Sequence, residues 1–288
     1  MDAAEDGARR LTTAMRVVLV AFLVLAGLAF ILLYLRSGHT GSEFAWTIRP
    51  EITAAFLGAG YGAGCVLVAA SLRRRPWAEV RVGIGIVLVF SAMILVTTLL
   101  HLERFHFGAA NGGIARFAAW VFLAVYVFVP TVGTWLFVRE QRLAGPQPPA
   151  GTALPGWFKV AIGVQGGLMV AYGAPLFLAP WVFAPTWPWP LTSLTAQAVG
   201  SWLVPIGLGN LAVLVEGDLR RARVPALTSV AYGLLQLGAV VRYADQVQWR
   251  EAGAWIWLAL LINAIVTGGY QLLATAGGTA EGQPAVIR

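Results

Sequence analysis

The densest run of side chains able to do chemistry is His101-Leu102-Glu103-Arg104-Phe105-His106-Phe107. Imidazoles, a carboxylate and a guanidinium crowded into one short segment could move a proton, bind an anion or contribute metal ligands. Their spacing limits the last of these. On one helix His101 and His106 would stand about 140° apart around the axis, so they could not both face one ion, and the i, i+4 pair of a zinc helix is absent. Glu103 and His106 sit three positions apart, close enough for a local pair. Three readings follow for His101, Glu103, Arg104 and His106: a solvated interfacial cluster, a ligand- or proton-handling site, or a composite metal or haem site that adds His39 to His101 and His106. These residues alone assign no metal. The single cysteine, Cys65, lies inside an apolar run, which excludes an intrachain disulfide, a CxxC pair and a thiolate cluster. Nucleotide-loop, zinc-protease, hydrolase and c-type haem motifs are missing too, so neither a catalytic residue nor a cofactor can be named.

Two further sets of residues could bind a ligand. Gln165, Gln197, Asn210, Gln236 and Asn263 place amides along the apolar runs of the second half, whereas the first half is almost purely apolar. Gln236 and Asn263 fall near the middle of their runs. An amide facing lipid there would leave its polar atoms unpaired, so these two are expected to face protein and to pair with each other, as interhelical glue or as part of a polar pocket. The second set is aromatic. Most tryptophans are expected in an interfacial belt, but Trp181 and the run Trp187-Pro188-Trp189-Pro190 would form a rigid lip over a groove for a lipid, isoprenoid or sugar.

The elements that carry these residues follow from composition. Hydrophobic residues make up 58% of the 288 and charged residues 11%, with a mean hydropathy of +0.74, which excludes a water-soluble globule. Charges are costly in mid-bilayer, so they mark the ends of spans. The charge-free runs are Val17 to Leu35, Ile52 to Leu72, Val82 to Leu100, Phe117 to Val138, Val160 to Val215, Val224 to Val241 and Ala252 to Ala280. The fifth is long enough for two spans broken by Pro175, Pro180, Pro185, Pro188 and Pro190, which predicts an all-α bundle of eight transmembrane helices. With the amino terminus in the cytoplasm, fourteen of the 20 Lys+Arg fall on the inner side, which places both termini inside a cell membrane. All three histidines then lie on the outer side. The same topology accounts for the formal charge of +7, with no basic module suited to nucleic acid.

A Pro/Gly-rich stretch divides the chain into a first four-helix unit (1–143), a cytoplasmic linker (144–156), a second four-helix unit (157–276) and a cytoplasmic tail (277–288). The halves echo each other. Ala119-Trp120-Val121-Phe122-Leu123-Ala124 resembles Ala254-Trp255-Ile256-Trp257-Leu258-Ala259, Gly133 meets Gly268 in that register, and Leu72-Arg73-Arg74 meets Leu219-Arg220-Arg221. Duplication of an even-span unit gives two parallel repeats about an axis along the membrane normal. Gly58 and Gly62 in the second span form a small-xxx-small pair suited to close packing on another helix, within the chain, in an oligomer or on a membrane partner.

Phe44-Ala45-Trp46-Thr47-Ile48-Arg49-Pro50 leading to Gly58, the segment His101 to Phe107, and Trp187-Pro188-Trp189-Pro190-Leu191-Thr192 leading to Gly200-Ser201-Trp202 resemble a family of uncharacterised bacterial eight-span membrane proteins. The second half is also weakly similar to DoxX-like four-span proteins. The resemblance implies a fold and no activity. The leading expectation is a non-enzymatic membrane protein that binds or passes a small or lipophilic ligand at its outer mouth. The alternatives are a membrane-embedded enzyme or metal or haem redox protein using the outer His/Glu cluster, and an interaction subunit of a membrane complex.

Overall fold

The structure, a computed structural model, describes residues 11–73, 77–143 and 151–277. Residues 144–150 of the linker and 278–288 of the tail lie outside these. Among the described residues are eight helices long and apolar enough to cross a membrane. They are α1 (Thr13–Leu35), α2 (Glu51–Arg73), α3 (Trp77–Leu100), α4 (Gly113–Arg142), α5 (Gly156–Leu178), α6 (Ser193–Glu216), α7 (Arg223–Arg242) and α8 (Ala252–Gly277). The chain is an all-α polytopic bundle. Its outward surface is apolar: Val17, Phe117, Val160, Val215, Val241 and Leu273 are all exposed. That distribution suits hydrocarbon as the surrounding solvent.

The helix ends follow the charges, with two differences. α3 and α4 run a turn or more past their charge-free runs, so Glu79, Arg81, Arg139 and Glu140 are helical. Pro175 lies inside α5, which ends only at Leu178 ahead of Pro180, and Pro130 and Pro205 are likewise held inside α4 and α6. The expected break at Pro175 is therefore absent, because neighbouring helices can re-satisfy the freed backbone groups of a membrane helix.

The helix neighbours come in matched pairs. α1 packs on α2 as α5 packs on α6; α3 packs on α4 as α7 on α8; α2 crosses to α7 as α6 crosses to α3; and α1 meets α4 as α5 meets α8. One hydrophobic core runs through both halves. Close approach explains the tightest pair. A Cβ on Gly166 would lie 2.9 Å from the carbonyl oxygen of Gly207, and one on Gly200 would lie 2.6 Å from that of Gly173, so α5 and α6 touch backbone to backbone. Gly58 and Gly62 are filled in the same way from within the chain. A Cβ on Gly58 would meet the Leu33–Tyr34 backbone, and one on Gly62 would meet Phe30 and Leu235. The stripe considered for a partner is thus covered by α1 and α7.

At Gly58 the end of α1 widens into a π-helical turn, Ile31–Leu35. There the Tyr34 hydroxyl donates to the Leu235 carbonyl, and Arg242 caps the Tyr34 carbonyl at 2.7 Å. The bundle has two unlike ends. Loops 36–50, 101–112, 179–192 and 243–251 knit together at one, called here the capped face. At the other, the terminal face, Arg81 grips Glu216 with two 2.7 Å hydrogen bonds, the Thr12 amide and hydroxyl donate to buried Glu140, and Gly151 N donates to Asp218.

Candidate functional site

The segment His101 to Phe107 leaves the helix at once. His101 ends α3 in a non-helical conformation, Leu102–Arg104 form one 3-10 turn, and Phe105 is extended and bridges Trp46. His106 is buried. Its Nδ1–H donates to the Phe44 carbonyl at 2.9 Å, its backbone N–H donates to the Ala45 carbonyl, and Nε2 lies 3.1 Å from the Thr47 hydroxyl. A carbonyl oxygen only accepts, so Nδ1 carries a proton and donates it to Phe44, while Nε2 pairs with the Thr47 hydroxyl. His106 therefore staples the 44–47 strand to the capped face. The second half repeats the backbone: Tyr243 ends α7, Ala244–Gln246 turn, Val247 is extended, and Gln248 N–H donates to the Pro188 carbonyl at 2.8 Å. Gln248 is exposed and makes no such staple through its side chain.

The other members of the cluster point to different partners. His101 Nε2–H donates to Gln197 Oε1 at 2.9 Å, and Gln197 in turn donates to the Phe177 carbonyl, tying α3 to α6 and α5. Glu103 and Arg104 are exposed and lie 3.6 Å apart at the surface. Among the described residues no group of three His, Cys, Asp or Glu could hold a metal ion, so the composite site of His39, His101 and His106 does not form. The physical reason is the 3-10 turn, which sends His101 toward α6 and His106 toward the first loop.

The aromatic lip is also corrected. Trp187 and Trp189 are buried at 2% and 1% exposure, packed with Phe56 and Trp257, and Trp189 Nε1–H donates to Thr53. They plug the capped end of the second half; of the three tryptophans expected in the lip, Trp181 alone, 72% exposed, stands at the surface. Trp46 and Trp257 are core residues as well, which removes them from the interfacial belt. Gln236 and Asn263 both face protein, yet they do not pair. Gln236 Nε2–H donates to the Phe56 carbonyl at 3.0 Å, whereas Asn263 donates to Gln165 Oε1 and to the Ala161 carbonyl. The antiparallel α7 and α8 carry these amides on different faces, one toward α2 and the other toward α5.

An opening in the bundle lies elsewhere, in the seam between α1 and α4. It is a groove of about 400 Å³, walled by Leu25, Ala26, Ala29, Leu32, Phe117, Ala118, Val121, Phe122 and Val125. That volume falls in the range of ligand pockets. At its capped end stand Arg36, Glu43 and Phe44, and at its foot Tyr61 and Tyr126. Leu28, Ile114 and Phe117 on its rim are more than half exposed, so the groove opens sideways, toward lipid. Arg36 holds Glu43 in a two-point ion pair, with Nε to Oε2 at 2.6 Å. The Arg36 hydrogen bond keeps the Glu43 carboxyl below its ordinary range, with burial opposing only in part. At the other end the Tyr61 and Tyr126 hydroxyls bond to each other at 2.5 Å and close the groove. His106 acts on this site indirectly, because the strand it staples carries Phe44 next to Glu43.

Sequence reading missed Arg36, Glu43, Tyr61 and Tyr126. Opposite charges flanking the first loop and small residues on facing runs (Ala26 and Ala29, Ala118) were the available signals. Compared with family models, curated proteins and solved structures, the chain matches none.

Proposed function

We propose that this chain is a multi-pass protein of a bacterial plasma membrane, both termini cytoplasmic, that binds or passes an amphipathic lipophilic ligand in the α1–α4 groove. One observation carries the reading: an apolar groove open on the lateral face of the bundle ends at a charge-paired mouth, Arg36 and Glu43, in the loop that follows α1. A chain in the groove touches side chains along its length, and its polar end meets Arg36 and Glu43 as hydrogen-bond donor and acceptor. The matched helix neighbours and the repeated turns at His101 and Tyr243 support a duplicated four-helix unit, in which the first copy has kept or gained a binding seam.

The test is the lipid that stays with the protein through purification in mild detergent, identified and counted by mass spectrometry. Ala118→Trp, which fills the groove wall, is expected to lower retention about tenfold, equivalent to about 1.4 kcal/mol, while the protein stays folded. Equal retention in wild type and a folded Ala118→Trp would reject the reading.

A further inference from the structure

A second groove lies on the terminal-face side of the bundle, with α3 as its floor between α4 and α6. It has a volume of about 330 Å³ and is walled by Gly85, Ile86 and Val89 of α3, Phe137 of α4, and Leu208 and Ala212 of α6. Val89 and Leu208 are 37% and 42% exposed, so it opens on the lateral face. Its floor is bare at one point, where a Cβ on Gly85 would meet nothing within 4 Å. Polar side chains close one end only, Arg81, Gln141 and Glu216. Arg81 immediately precedes the charge-free run that begins at Val82, and Glu216 is the last residue of α6, which puts that end at the terminal face.

Hydrogen bonding at this end uses up the acceptors and leaves donors. Arg81 gives its Nε and Nη2 to the two oxygens of Glu216, each at 2.7 Å, and Arg221 Nη1 lies 3.5 Å from the same carboxylate. Gln141 Oε1 accepts from the Trp77 indole N–H at 2.7 Å, which leaves the amide nitrogen as the remaining polar atom of that side chain. Among the described residues nothing accepts from Arg81 Nη1 or from Gln141 Nε2. The Arg81 and Glu216 side chains are 21% and 12% exposed, so packing and the two-point bond hold the guanidinium in one orientation. The α1–α4 groove ends in the same way: Arg36 gives Nε and Nη2 to Glu43 and keeps Nη1. In both places a carboxylate takes one edge of the guanidinium fork. The other edge, Nη1 with the second hydrogen of Nη2, matches two oxygens of a phosphate.

We propose that the α3 groove is a separate lipid site, which seats one glycerophospholipid with an acyl chain over Gly85 and its phosphate on the open edge of Arg81, beside the Gln141 amide. Donors left without acceptors call for an anion, and an apolar channel leading away from them calls for an anion that carries a hydrocarbon chain. Glu216 is a positioning residue here: it fixes which edge of Arg81 stays open. The site lies at the opposite end of the bundle from the Arg36–Glu43 mouth, and the inference does not rest on what occupies the α1–α4 groove. Because this groove is open along its side, its lipid exchanges and is read by titration at equilibrium.

The experiment titrates delipidated full-length protein in mild detergent with dioleoylphosphatidylglycerol or with dioleoylglycerol, which has the same chains and no phosphate, and counts bound lipid by native mass spectrometry. The binding that Gly85→Phe removes is assigned to this site. There the phospholipid is expected to bind about tenfold more tightly than the diacylglycerol, as a hydrogen bond to a charged group implies. Arg81→Gln should bring the phospholipid down to the diacylglycerol level. If Arg81→Gln does not fold, Gly85→Phe, which leaves the ion pair in place, decides together with the diacylglycerol control. Equal affinity for the two lipids, or phospholipid binding unchanged in a folded Gly85→Phe, would overturn the proposal. The same titration in Ala118→Trp is expected to give the same result, since that change fills only the other groove. Loss of this binding in a folded Ala118→Trp would place the phospholipid in the α1–α4 groove and also overturn it.

Discussion

The α1–α4 and α5–α8 seams occupy matching places in the two halves and are built in opposite ways. In the second, Asn263 reaches across to Gln165 and to the Ala161 carbonyl, and Tyr270 packs on Trp157 with ring centres 4.7 Å apart. In the first, Thr12 and Glu140 join only the terminal-face ends of the helices, and a groove opens above them. Hydrogen bonds in hydrocarbon have no water to compete with, so a few amides suffice to bolt a seam. Leaving them out of the first half keeps a site open. Four of the five amides of the second half, Gln165, Gln197, Gln236 and Asn263, thus hold helices together, while the groove proposed for a ligand lies in the half that looks blank in sequence.

Four changes would break or sharpen this contrast. The largest expected effect is Ala118→Trp, with its tenfold loss of retained lipid from the first seam. Next comes Asn263→Leu, which strands the Gln165 carboxamide; we expect a loss of about 1–3 kcal/mol in unfolding measured in mixed micelles, and new lipid labelling of the α5–α8 seam. His106→Ala removes both side-chain staples of the 44–47 strand and should lower lipid retention several-fold, while Gln248→Ala at the equivalent turn leaves both retention and stability within about 0.5 kcal/mol of wild type. A matching loss in Gln248→Ala would show that the loops act only as generic covers.

The smallest effect concerns pH. Hydrogen bonding from Arg36 lowers the Glu43 carboxyl below its ordinary value of 4.5. A lowered carboxyl keeps its charge, and the pair keeps its contribution, as pH falls to that ordinary range; both are lost only on further descent through the lowered value. Ligand retention is therefore expected to stay flat on acidification to about 4.5, and Glu43→Gln should remove any dependence below it.

Eight spans were legible because charges are excluded from hydrocarbon, and Arg16, Arg73, Arg139 and Arg242 mark helix ends whatever the tertiary structure. The His101 to Phe107 cluster was legible as polar but not as geometry. Its direction depends on one 3-10 turn and on the Trp46–Phe105 bridge, contacts between loops distant in sequence. Trp187 and Trp189 read as interfacial because tryptophan suits both interface and core, and only Phe56 and Trp257 from other helices decide between them. The groove was hidden for a related reason: a gap is made by what two helices fail to do, and small residues such as Ala26, Ala29 and Ala118 read equally well as close packing.

The most direct test of an open first seam and a closed second one is photolabelling in nanodiscs with a phospholipid carrying a diazirine in its acyl chain. Adducts mapped by mass spectrometry are expected to concentrate on groove residues such as Leu25, Ala118, Val121 and Val125, and to shift away in Ala118→Trp. Equal labelling of the α5–α8 seam in the wild-type protein would contradict the account.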